Sequence, residues 1–81
     1  MSAEGQLQVM RALAWAVVEG LRTSRDGLDV VLLGVAVARW LELDVPDNET
    51  LAKAFGRHRT RIAHRCAEAE SKLLAQIAEQ L

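Results

Sequence analysis

An 81-residue chain that is 51% hydrophobic and 26% charged has room for one domain of three or four helices and enough apolar content to fold, which excludes a disordered chain. Its one cysteine, Cys66, excludes an intrachain disulfide; its most apolar stretch, Val30 to Ala38, meets Arg39 well short of the roughly 20 residues that span a bilayer; and the N-terminus lacks the charged-then-apolar layout of a signal peptide, so a cytoplasmic protein is expected. The net charge of −1 conceals a segregation: Thr50 to Ala67 holds five basic residues, two histidines and no acid, which leaves five basic against eleven acidic residues, or −6, elsewhere.

In chain order, Leu7, Met10, Ala14, Val17, Val18 and Leu21 recur at helical spacing and predict a first helix over about Gln6 to Arg22. Thr23-Ser24-Arg25-Asp26-Gly27 then supplies turn chemistry, with Asp26 placed to cap the next segment and Asp29 in its first turn. The second helix is expected over about Leu28 to Leu43, stopped by Asp44-Val45-Pro46-Asp47-Asn48. Its valines would suit a strand, but one strand has no partner here and the run is longer than typical strands. Beyond its first turn only Arg39 and Glu42 are clearly polar on it, so it must be covered on several sides, as core or as a dimer seam. Asp47 or Asn48 caps a short third helix over about Glu49 to Phe55, and Gly56 ends it as a left-handed terminator. Ile62, Cys66, Ala69, Leu73 and Ile77 then carry one apolar face along a fourth helix from about Thr60 to Gln80. The expected fold is all-α, with a single domain over residues 1 to 81.

The segment Leu51 to Ile62 resembles the helix-turn-helix family of DNA-binding domains. Small Ala52 lets two helices approach, Gly56 four residues later permits the turn, and Ile62 six residues further anchors the recognition helix. The pattern departs from the family at Arg57, where a turn residue is normally apolar, and at Arg65, where a second apolar anchor is common and Cys66 substitutes. Two subfamilies are similar over about residues 50 to 74. Gly56, Arg59, Arg61, Ile62, Ala67, Lys72 and Leu73 resemble region 4 of bacterial sigma factors. Phe55, Gly56, Arg57, Thr60, Ile62 and His64 resemble the C-terminal domain of the replication initiator DnaA, with His58 and Arg59 in place of its usual Asp and His. The resemblance implies a shared DNA-binding module rather than membership in either family.

The charge pattern points the same way. At about 100° per residue, Arg61, His64, Arg65 and Glu68 share one helix face and Ile62, Cys66, Ala69 and Leu73 the opposite one, so docking the apolar side presents the cationic side outward. Arginine there can form bidentate contacts with guanine edges, whereas Lys53, Arg57 and Thr60 near helix ends suit phosphates. His58 and Arg59 complete the candidate DNA-binding set.

The bland reading of such a face is a solvated helix. His58, His64 and Cys66 make no convincing metal site, since His64 and Cys66 point to opposite faces and no fourth ligand is near. Cys66 reads as a small core residue, and no nucleophile with a base or pair of carboxylates marks an enzyme. Trp15 sits on the flank of the first helix near Arg11 and Arg22, where a partner contact and simple cover by another helix both stay open; Trp40 is expected in the core. The expectation is therefore a bacterial or phage transcription regulator without cofactor, associated with the nucleoid. Its expected partners are double-stranded DNA, a second copy, and RNA polymerase or another transcription component. The alternative is a helical interaction module, such as a phage packaging subunit resembling small terminase.

Overall fold

The computed structural model describes residues 3–81, and among them every regular element is helical: α1 (Ala3–Arg22), α2 (Gly27–Trp40), α3 (Asn48–Phe55) and α4 (Arg59–Gln80). This is the all-α, four-helix architecture that periodicity predicts, with local caps doing the punctuation. Asp26 ends the first connection by accepting a hydrogen bond from the Asp29 backbone N–H at 2.9 Å, and Asp47 does the same for α3 through the Thr50 N–H at 2.7 Å. At the end of α1 the hydroxyls of Thr23 and Ser24 donate back to the carbonyls of Glu19 and Gly20, at 2.9 and 2.8 Å, satisfying acceptors that the helix leaves open.

Two boundaries differ from the expected ones. α1 begins at Ala3, not near Gln6, with Glu4 in its first turn. α2 stops at Trp40 rather than Leu43: Glu42 adopts φ 60°, and the Leu43 N–H turns back to the Ala38 carbonyl at 2.8 Å. A left-handed terminator thus occupies a position with no glycine to announce it.

α4 is the inner wall on which the other three helices rest. Its first half joins a cluster of Leu28, Leu32, Val35, Leu51, Ala52, Ile62 and Cys66, drawn from α2, α3 and α4. Its second half joins Ala12, Leu13, Ala16, Leu33, Ala36, Leu73 and Ile77, drawn from α1, α2 and α4. Ala69 packs against both clusters. Ile62 and Leu32 are the largest side chains to lose nearly all contact with solvent.

The stripe on α1 that meets this wall is not the one the large residues mark. Ala12, Leu13 and Ala16 are buried, with Val17 half-buried beside them, whereas Leu7, Met10, Val18 and Leu21 are exposed. The physical reason is distance: alanines let two helix backbones approach closely, and the buried methyls of α4 fill the space. Gly20 continues the same logic toward α2, since a Cβ there would lie 2.7 Å from Leu33 Cδ1. α2 is covered on one side only; Val30, Val31 and Gly34 on its other side face solvent. Trp40 is half-buried at the edge of the second cluster rather than at its centre, and Trp15 is 61% exposed.

Candidate nucleic-acid interface

The basic segment is built on a tight corner. α3 ends at Gly56, whose φ of 62° and ψ of 35° are left-handed, so a side chain there would cost about 1 to 2 kcal/mol. The Arg57 N–H returns to the Ala52 carbonyl at 2.9 Å and closes the α3 end. His58 then caps α4: its Nδ1 accepts from the Thr60 N–H at 3.2 Å, and its carbonyl accepts from the N–H groups of Arg61 and Ile62. Only two residues therefore separate Gly56 from α4, and both are held by backbone hydrogen bonds or caps.

Packing fixes which way this corner faces. Leu51 and Ala52 of α3 are buried against Ile62 and Cys66 of α4, with Phe55 half-buried beside them. The Cys66 Sγ approaches the Asn48 Oδ1 at 3.7 Å, and burial pushes its thiol above the ordinary thiol range, as befits a small core residue. With the apolar side engaged, Lys53, Arg57, His58, Arg59, Thr60, Arg61 and His64 are all exposed. Among the described residues Arg57, Arg59 and Arg61 carry no ion pair, and Lys53 has only an exposed contact with Glu49 at 4.0 Å. Such a contact contributes little and leaves the ammonium available.

Arg65 departs from the expected placement. It lies one turn beyond Arg61, but its side chain is only 12% exposed and is bound to the α2 N-terminus, to Asp26 at 3.1 Å and in a close contact to Asp29. The outward placement expected of Arg65 is thereby corrected to an inward one. Two acceptors in the first turn of α2 capture a guanidinium that helical projection alone aims outward. The Asp29 carboxyl is held far below the usual carboxylate range, first by the Arg25 guanidinium, against the opposing effect of burial, and then by the Arg25 N–H and Arg65. Pairing with Asp29 in turn raises the guanidinium pKa of Arg65. Its Nε is buried with no hydrogen-bond partner among the described residues, so the pairing is incomplete.

Asp29 and Asp26, which capture Arg65, lie 36 and 39 positions away from it, so no local charge pattern reveals the pairing. Beyond Arg65 the cationic character fades. Glu68 pairs with Lys72 at 3.1 Å, which holds its carboxyl below the ordinary range, and Glu70 pairs with Arg39 at 2.8 Å. On α3 and α4 the unpaired positive surface is thus confined to α3, the corner and the first two turns of α4, while on α1 Arg11 is also exposed and carries no ion pair among the described residues. Among the described residues no three metal-ligating side chains are gathered, and no helix is long and apolar enough to cross a membrane. Comparison with protein-family models, curated proteins and solved structures finds no match.

Proposed function

We propose that the chain binds double-stranded DNA by a helix-turn-helix, with α3 and α4 as its two helices and the start of α4 in the major groove. The observation that carries this reading is the cluster of Arg57, Arg59 and Arg61, exposed and without ion pairs beside a corner whose other face is buried. Arg61 and His64 face outward from α4 and are the base readers; Lys53, Arg57, His58, Arg59 and Thr60 flank the corner and hold phosphates. Arg65 leaves the contacting set and positions α4 against α2. In this reading the working unit is a homodimer that acts as a transcription regulator on the nucleoid, two motifs meeting two half-sites.

Titration of labelled duplex DNA at several salt concentrations tests it. A random duplex should bind with affinity that falls steeply as salt rises. On a selected preferred site, Arg61→Ala should lose about 1 to 3 kcal/mol and flatten the preference over random DNA. Lys53→Ala should weaken both duplexes alike and lower the salt slope by about 0.9, the share of one phosphate. Absence of duplex binding at low salt would leave the helical interaction module as the better account.

A further inference from the structure

The side of the α1 and α2 pair that turns away from α4 is apolar and uncovered. On α1, Leu7, Met10, Ala14, Val18 and Leu21 follow one another at intervals of three and four and are all exposed. On α2, Val30, Val31 and Gly34 are exposed at the same kind of spacing, and Leu41, which caps the helix, is exposed seven residues after Gly34. Val17 and Val37 pack half-buried against the same core cluster, one from each helix, so the two stripes adjoin across the seam between α1 and α2. No charged residue interrupts the α2 stripe, and on α1 the exposed Arg11 and Arg22 border the stripe on its side away from Val17.

Three properties of this surface select its occupant. The first is extent. Seven large side chains on it (Leu7, Met10, Val18, Leu21, Val30, Val31 and Leu41) are 38% to 59% exposed. With whole-residue areas of roughly 150 to 200 Å², they leave on the order of 600 Å² before Ala14 and Gly34 are added, close to the roughly 800 Å² per partner of a standard interface. That exposed area lies at the top of the range of the largest apolar patch on a typical monomer, roughly 300 to 600 Å², where such patches are often functional.

The second property is Gly34. A Cβ at this position would meet nothing within 4 Å, so no packing inside the chain requires glycine, although glycine in a helix interior costs about 1 kcal/mol relative to alanine. It lies in the middle of the α2 stripe, where it lets another backbone come close. The third is electrical neutrality. In a two-fold pairing each residue near the axis meets its own copy, and a charge there would face a like charge. The α2 stripe around Gly34 carries none, whereas a partner chosen by opposite charge would need charges there to recognise.

We infer that this surface receives a second copy of the chain, α2 crossing α2 of the partner near Gly34, with Leu21 and Met10 of α1 at the flanks. The cationic corner packs on the opposite side of α2, through Leu28, Leu32 and Val35, so both corners stay open to solvent in the dimer. The inference gives the homodimer of the proposed function its interface, but it does not depend on DNA binding.

Sedimentation equilibrium of the full chain at about 10 to 100 µM, a range that spans micromolar dissociation constants, should give twice the 8.9 kDa of one copy. Gly34→Glu, placed in open space on an exposed turn, should return the mass of one copy with unchanged helical circular dichroism. Leu74→Glu, on a leucine of α4 that is 54% exposed away from the seam, should remain dimeric. The inference is overturned if the parent sediments as one copy throughout, if Gly34→Glu stays dimeric, or if Leu74→Glu dissociates the pair equally. Loss of duplex binding in the Arg61→Ala variant, which leaves the seam untouched, bears on the DNA reading alone.

Discussion

The two halves of α4 share one continuous apolar face and differ in almost everything else. The first half rests Ile62 and Cys66 on α2 and α3; the second rests Leu73 and Ile77 on α1 and α2. Outward, the first half shows Arg61 and His64, which carry no ion pair among the described residues, while the second neutralises its own charges through Glu68 with Lys72 and Glu70 with Arg39. The contrast teaches that burial of one face sets where a helix sits, and that its other face can be charged or neutral turn by turn at little cost to the fold.

The largest effect expected from breaking this comparison comes from the buried face. Ile62→Ala should destabilise the fold by about 3 to 5 kcal/mol, because Ile62 is fully enclosed by two other helices. Ile77→Ala, near the end of α4 where the last turn can fray, should cost about 2 to 3 kcal/mol. Denaturant unfolding of both variants checks the order; equal losses would mean that the two clusters are enclosed to the same degree.

A middle-sized effect is expected from Arg65, whose pairing holds the charged half of α4 to α2. Arg65→Met should cost about 1 to 2 kcal/mol, less than a fully buried pair, because Asp29 keeps Arg25 and the substitution also removes the orphaned Nε. The pH dependence follows from the lowered carboxyls of Asp29 and Asp26. A carboxyl depressed in the folded state stabilises it above the unfolded value of about 3.9, and that stabilisation is lost as pH falls below it. Thermal melts between neutral pH and about pH 2 should therefore show an acid decline in the parent and a shallower one in Arg65→Met. The same variant should keep the parental salt slope on random DNA, in contrast with Lys53→Ala; a slope lower by about one phosphate would return Arg65 to the contacting set.

The smallest effect is a gain. Glu42 holds φ 60°, a conformation that glycine adopts freely, so Glu42→Gly should raise stability by about 0.5 to 1 kcal/mol. Unchanged or lower melting would mean that the Glu42 side chain stabilises the turn by more than its backbone strain costs.

What could be read from the sequence follows the range of the interactions involved. Asp26, Asp47 and Gly56 act within three or four residues, and each marks an element boundary in the sequence as it does in the fold. Glu42 does the work of Gly56 without its signature, so the end of α2 was misplaced by three residues. The exposed positions of Arg59 and Arg61 follow from the apolar spacing of α4 alone. The fate of Arg65 and the choice of the alanine stripe on α1 depend on which helix arrives opposite, and no local pattern carries that information. For the same reason Trp15, large and apolar, lies in solvent while Ala12 and Ala16 are enclosed.

The position of α4 as the shared inner wall has a consequence for synthesis. α1, α2 and α3 leave the ribosome before the element that covers them, and at about 5 to 20 residues per second the 22 residues of α4 take on the order of one to four seconds to follow. Throughout that interval α2 shows apolar side chains on both its sides, sheltered only in part by α1 around Leu33 and Ala36 and by α3 around Leu51 and Ala52. The nascent chain is therefore at its most adhesive just before α4 is complete, and a chaperone that shields α2 at that stage should raise the yield of folded protein.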